Sequence, residues 1–482
     1  MEQAVEEIMF YTSALQLISI VGIAYLLRII HEQNRDLFYR PYDPHNGSVY
    51  LKAGFIVFSV GACIYNAFQI VEDVMHFKLR SDCGSYSTPV CHVIFFVYNV
   101  VAMLFVVIHS KVNIVHNPKT VFYLFTHLVA TEVNAWFGLI MDESAEKLHF
   151  STLTGNATAE PESCEELFNE KISEYRDLFA TYLYPCAIEK SLIAGGFFAI
   201  MAMNVSSFKV VISKSNVILY GQKHKLEWNS KLSFNWTLQG FVCGILLLLS
   251  TIIIIVAKFT VPPEMQPEFL LNAAYHELQI VILLFMTLAL IFSHWMLKCR
   301  GIIDHFHNKI DAPLLVVGFI GIAQYSVFSI IATINVYMCD GCDMAKDSMN
   351  AQTVMSTFLS YFMNLVQGIM QTVYLMDALR RKALYDTSFS RSLLTFLLFG
   401  NICLWIMLMF ELDYDDVNPI QFSVFGHRHW NLITHTFGPV AIFFRFHSTA
   451  CLFDVWHTGF FINPPPENGE IVLNKHKLES TL

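Results

Sequence analysis

Long apolar runs alternate with short polar ones along the whole chain. Eleven such runs stand out, at about 8–30, 49–71, 90–112, 120–141, 183–204, 234–258, 270–297, 312–337, 351–379, 391–411 and 430–459. Each is long enough to supply the roughly 20 helical residues that cross a hydrocarbon core about 30 Å thick. They are too long and too evenly apolar for the alternating strands of a membrane β-barrel. The pattern therefore predicts an all-α polytopic membrane protein with about eleven transmembrane helices. Glu2, Glu6 and Glu7 precede the first run and no small-residue cleavage site follows it, so it reads as a membrane helix rather than a signal peptide. The last run is broken by His435, Arg445, His447 and Asp454, and its length favours a full crossing with a polar inner end.

Composition sharpens this picture. Hydrophobic residues make up 55% of the 482 positions and charged residues only 15%, against about 25% charged in an average soluble domain. A disordered chain, a collagen and a disulfide mini-protein are excluded, and too few polar residues exist to cover several soluble domains. Thirty Lys and Arg against 40 Asp and Glu give a net charge of −10, which argues against a nucleic-acid partner.

An odd number of spans puts the termini on opposite sides. If the first helix runs from outside to inside, most of the 30 Lys and Arg fall in cytoplasmic segments, Arg28, Arg35, Lys223, Lys225, Arg380, Arg381 and Lys382 among them. The positive-inside rule thus predicts an extracellular N-terminus and a cytoplasmic C-terminus. The acidic 142–182 loop then lies outside, where Asn156-Ala157-Thr158 is a glycosylation acceptor. Cys83, Cys91, Cys164, Cys186, Cys339 and Cys342 fall at or near the oxidising face, so disulfides are expected among some of them.

Two short patterns recur in the same order. Glu132 precedes Trp136 as Asn401 precedes Trp405, and Pro185-Cys186-Ala187-Ile188 resembles Pro439-Val440-Ala441-Ile442. This predicts two parallel repeats, a plan common in transport proteins. The halves are an N-terminal one over 1–204 with five spans and a C-terminal one over 234–462 with six. A basic cytoplasmic linker, 205–233, joins them, and 463–482 forms a cytoplasmic tail.

A charge near mid-bilayer costs about 2.5–3.5 kcal/mol on insertion scales, so each one needs a reason. Glu132, Glu189, Lys190, His294, Arg445 and His447 fall in spans, with Gln371 and Asn401 among the uncharged polar residues there. Glu189 is read as following a helix-starting Pro185 by four residues. His276 and Glu277 lie close to an outer helix end and are expected to reach water. Glu132 and Lys190 have similar depths below the outer surface, which predicts an ion pair between their helices. No catalytic motif, phosphate loop, potassium-type filter or Arg ladder is present, so neither an enzyme nor a cofactor is expected.

The sequence resembles the otopetrins, proton-selective channels. The resemblance is carried by Gly47-Ser48-Val49-Tyr50-Leu51-Lys52-Ala53-Gly54, His127-Leu128-Val129-Ala130-Thr131 and Tyr182-Leu183-Tyr184-Pro185 with Ile188-Glu189. It continues through Asn401-Ile402-Cys403-Leu404-Trp405-Ile406 and Ile442-Phe443-Phe444-Arg445-Phe446-His447-Ser448. It implies a homodimer in the plasma membrane, in contact with lipid and with sterol as a candidate, that passes protons down their gradient and opens to external acid. The family's intramembrane Glu carries over to Glu189, its late His to His447 and its second-half amide to Asn401. Glu132, Arg445 and Gln371 join them as candidates for the proton pathway. The resemblance also implies sensitivity to zinc. His427 and His429, on the outer side, are candidate ligands, against the alternative of two solvated loop histidines. Three features depart from the family pattern: the first helix of its twelve has no counterpart, Glu132 replaces an Asn, and Lys190 replaces an apolar residue. A proton-coupled solute transporter and a non-conducting otopetrin-like membrane protein are the alternatives.

Overall fold

The computed structural model describes residues 2–36, 49–79, 87–112, 114, 116–154, 170–207, 238–260, 268–298, 302–304, 311–338, 351–383, 388–413 and 419–458. These form eleven α-helices and one two-stranded ribbon. In the N-terminal half the helices are α1 (Glu2–Asp36), α2 (Val49–Leu79), α3 (Ser87–His109), α4 (Pro118–Thr154) and α5 (Glu170–Ser207). In the C-terminal half they are α6 (Leu238–Thr260), α7 (Glu268–Lys298), α8 (Asp311–Met338), α9 (Ala351–Ala378), α10 (Ser388–Asp413) and α11 (Pro419–Thr458). They follow the eleven apolar runs one for one.

Nine of the described helices carry a stretch apolar enough to cross a membrane by composition alone. The two others, α9 and α11, hold Asn364, Gln367, Gln371, Arg445 and His447, all buried in the protein. Their low hydropathy reflects partners inside the bundle, not exposure to water.

Several expectations are corrected in detail. Pro185 lies inside α5 rather than at a helix start, and Pro439 lies inside α11. Each removes one backbone donor, which a long, well-packed helix absorbs. The last helix begins at Pro419, ahead of the expected 430, and bends at Gly426, whose φ of 72° is open to glycine without steric cost. His276 is buried, not water-exposed, whereas Glu277 accepts a hydrogen bond from Gln352 in an exposed position. Cys91 is a free thiol buried against Ser13, and Cys83, Cys164, Cys339 and Cys342 lie outside the described residues. So do Asn156, the linker and the tail. The ribbon pairs β1 (Ile302–Asp304) antiparallel with β2 (Arg381–Ala383), Ile302 opposite Ala383 and Asp304 opposite Arg381. Strands of three residues are too short to leave a periodic signal in sequence.

Helix neighbours repeat between the halves. In the first, α2 packs on α3 and α5, α1 on α3 and α4, and α4 on α5. In the second, α8 packs on α9 and α11, α7 on α9 and α10, and α10 on α11. The two patterns match when α1 through α5 are set on α7 through α11. Helix α6 stands outside this correspondence and packs on α10 and α7. Its Gly240 and Gly244 admit α10 closely: a Cβ at Gly240 would sit 2.0 Å from the Ser392 carbonyl oxygen, and one at Gly244 2.5 Å from the Phe399 ring. Among the described residues, no helix of the first half occupies the matching place beside α4.

The halves meet chiefly through α11, which touches α2, α4 and α5. Phe443 belongs to the apolar cluster of the first half. Phe446 lies edge-on to Phe58 at 4.6 Å between ring centres and covers Gly54.

Candidate functional site

The repeat places one buried polar centre in each half, built each time from three helices in corresponding positions. In the second half, α11 brings in Arg445, 1% exposed. Its guanidinium donates to Gln367 Oε1 at 2.6 Å, to Asn364 Oδ1, and more distantly to Asn401 Oδ1 at 3.4 Å. Gln367, Gln371 and Asn401 then bond among themselves. Gln367 donates to Gln371 at 2.8 Å, and Gln371 and Asn401 exchange bonds of 2.9 and 3.0 Å. Residues 364, 367 and 371 share one face of α9 because they are three and four apart. Asn401 reaches them from α10. A buried cation is thus solvated by amide oxygens, with no carboxylate bonded to it among the described residues.

The first half uses a carboxylate instead. Lys190 of α5 sets its Nζ 2.9 and 3.0 Å from the two carboxylate oxygens of Glu132 on α4. Tyr98 of α3 donates to Glu132 Oε1 at 2.9 Å, and its ring lies 4.9 Å from the ammonium. Glu132 is 0% exposed and Lys190 2%. Each charge would be costly alone in this setting, and together they satisfy one another. Glu189, next to Lys190 in sequence, does not join the pair. It is buried, and neither of its oxygens has a hydrogen-bond partner among the described residues.

His447 is placed apart from the Arg445 centre, although it lies only two positions further along α11. Its Nε2 lies 3.1 Å from the Asp311 backbone oxygen, 4.0 Å from Asp311 Oδ1 and 3.5 Å from Cys451 Sγ. Phe443 stacks on its ring, with 5.3 Å between centres. The six pathway candidates are therefore distributed: Gln371, Asn401 and Arg445 form one centre, Glu132 sits in the other, and Glu189 and His447 belong to neither. Of the two zinc candidates, His429 is exposed with Nδ1 3.1 Å from its own helix at Phe425 O, and the side chain of His427 lies outside the described residues.

Another buried acid leaves little trace in the sequence. Glu411, near the end of α10, is ringed by three tyrosines from α7, α8 and α9. Tyr325 donates to Oε1 at 2.9 Å, Tyr361 donates to the same oxygen, and the Tyr275 hydroxyl is 3.3 Å from Oε2. Tyr275 also reaches Met407 O at 2.8 Å, so its single proton is divided between two acceptors. The signal was weak, a Glu at the end of an apolar run, because its partners come from three separate helices. Similarly, His92 of α3 has Nδ1 2.6 Å from Asp73 Oδ2 of α2.

The profile of the otopetrin family matches residues 50–178 and 156–446, which covers most of the chain and both polar centres. The chain belongs to the otopetrin family. This otopetrin is 24% identical over 466 residues to the protein named proton channel OtopLc of Drosophila melanogaster, a match covering 88% of this chain and 28% of that one. It is 23% identical over 494 residues to the protein named proton channel OTOP2 of Mus musculus, covering 86% of this chain and 83% of the relative. The chain thus spans under a third of the Drosophila relative's length. Both relatives are named as channels, and the many apolar helices make this otopetrin a multi-pass membrane protein.

Proposed function

We propose that this otopetrin is a proton-selective channel of the plasma membrane, a homodimer opened by external acid, with its N-terminus outside and its C-terminus in the cytoplasm. The observation that carries the reading is Glu189, a buried carboxylate with no hydrogen-bond partner on the described protein. Such a group is held by a proton or by water, and either lets it pass protons on. His447, buried on α11 with its Nδ1 unpartnered, is the second relay on the other side of the contact between the halves. Protons move in short water files past these two groups. Lys190 and Arg445 are fixed cations beside the route, and they oppose the entry of alkali cations. The Glu132–Lys190 pair uses up the polar capacity of the first-half centre, so the contact between halves and the second-half centre conduct better than the first.

Lowering external pH in sodium-free solution tests this in a heterologous cell. The expected current needs no added solute, and its reversal follows the proton gradient. Glu189→Gln and His447→Ala should each cut it at least about tenfold, equivalent to about 1.4 kcal/mol on the barrier, with surface expression unchanged. A current that appears only with a solute present would establish a transporter. Normal surface expression without current would establish a non-conducting relative.

A further inference from the structure

The end of α11 that the charge distribution assigns to the cytoplasm carries a cluster with ligand chemistry of its own. His447 and Cys451 are four residues apart, so they share one face of the helix. Asp311, the first residue of α8, meets them from the neighbouring helix. All three are buried, and one ligand atom from each lies within 4.8 Å of the other two. We propose that Asp311, His447 and Cys451 form a binding site for a divalent ion of the zinc class, at the cytoplasmic end of the α8–α11 contact.

The distances suit this ion. Zinc holds sulfur at about 2.3 Å and nitrogen or oxygen at about 2.0–2.2 Å in tetrahedral geometry. Two such ligands on one zinc therefore stand about 3.5 Å apart. His447 Nε2 is already 3.5 Å from Cys451 Sγ and 4.0 Å from Asp311 Oδ1. Small rotamer changes in Asp311 close the remainder. The stacked Phe443 ring holds the imidazole in place meanwhile.

Charge balance suits it as well. On binding, the Cys451 thiol loses its proton to solvent. The neutral imidazole keeps its single proton but carries it on Nδ1, which frees the Nε2 lone pair for the metal. A divalent ion with one thiolate and one carboxylate is neutral overall, the form least costly to bury within a membrane protein. The thiolate selects zinc, cobalt and copper over magnesium and calcium, which prefer all-oxygen sites. Three protein ligands leave the fourth position to water or to the Asp311 carbonyl, 3.1 Å from Nε2. The reducing cytoplasm keeps Cys451 free to coordinate.

The test of this site needs no proton current, so its failure is distinguishable from failure of the conducting role given to His447. The full-length protein, purified in detergent and freed of metal, is titrated with Co²⁺ and with Zn²⁺. The expected result is one equivalent bound per chain, with Co²⁺ giving a thiolate-to-cobalt charge-transfer band and the visible spectrum of a tetrahedral ion. Cys451→Ser should abolish the charge-transfer band and weaken binding at least about tenfold, and Asp311→Asn should weaken binding. Cys403→Ser, at a buried free thiol outside the cluster, should bind like the parent. Melting profiles of the metal-free proteins verify that each variant is folded. Absence of binding by the parent would overturn the proposal, and so would a folded Cys451→Ser protein with unchanged affinity and spectrum.

Discussion

Two buried cations, Lys190 and Arg445, are neutralised in different ways, and the difference sets what each tolerates. Lys190 faces a full negative charge on Glu132, whereas Arg445 is spread over amide dipoles of Asn364, Gln367 and Asn401. Breaking a buried ion pair from one side leaves an uncompensated charge and costs about 3–5 kcal/mol. Lys190→Met alone should therefore lower the melting temperature and yield of the purified protein sharply. Adding Glu132→Gln, which removes the stranded charge and still accepts from Tyr98, should restore most of the loss. Strictly additive variants would show that the two residues are uncoupled. The matched depths of Glu132 and Lys190 made this contact legible in sequence. The Glu411 cage was not legible, because Tyr275, Tyr325 and Tyr361 are ordinary apolar-helix residues until folding brings them together.

At the scale of the element, α6 shows what glycine does in a membrane helix. Apolar side chains gain little from meeting each other rather than lipid, so α6 holds α10 by close backbone approach. Gly240 and Gly244 recur every fourth residue and make one smooth strip facing Ser392 and Phe399. Gly240→Ala places a methyl 2.0 Å from the Ser392 carbonyl oxygen. That backbone atom cannot rotate away, so a cost of about 1–3 kcal/mol is expected, read as a lower melting temperature in detergent. A Gly240→Ala protein as stable as the parent would mean that α6 shifts along α10 freely.

Over the whole molecule, α11 couples the two halves and also carries Arg445, His447 and the cluster with Cys451. Its Phe446 fills the hollow that Gly54 leaves in α2, where a Cβ would come 2.1 Å from the ring tip. Phe446→Ala should cost about 3–5 kcal/mol through the cavity it opens. Gly54→Ala should be destabilising in the parent and close to neutral, or stabilising, in the Phe446→Ala background, where the space is vacant. Melting temperatures of the four proteins close this cycle. Equal costs of Gly54→Ala in both backgrounds would show that the ring does not occupy the space above Gly54.

The order of the described long helices is written in the sequence, because about twenty apolar residues in a row have few alternatives to spanning a bilayer. The repeat is also readable there, through Glu132 with Trp136, Asn401 with Trp405, and the two prolines, since corresponding helices must place polar groups at corresponding depths. Depth along a helix is a one-dimensional property and survives in a one-dimensional code. Direction around the helix axis depends on which neighbours pack where, and only the tertiary structure decided it. It turned Arg445 into the amide centre and His447, two residues on, toward Asp311 and Cys451. It also left Glu189 without a hydrogen-bond partner among the described residues, while the adjacent Lys190 faces Glu132. Two neighbouring positions on a helix point about 100° apart, so adjacent residues enter different environments that no local pattern records.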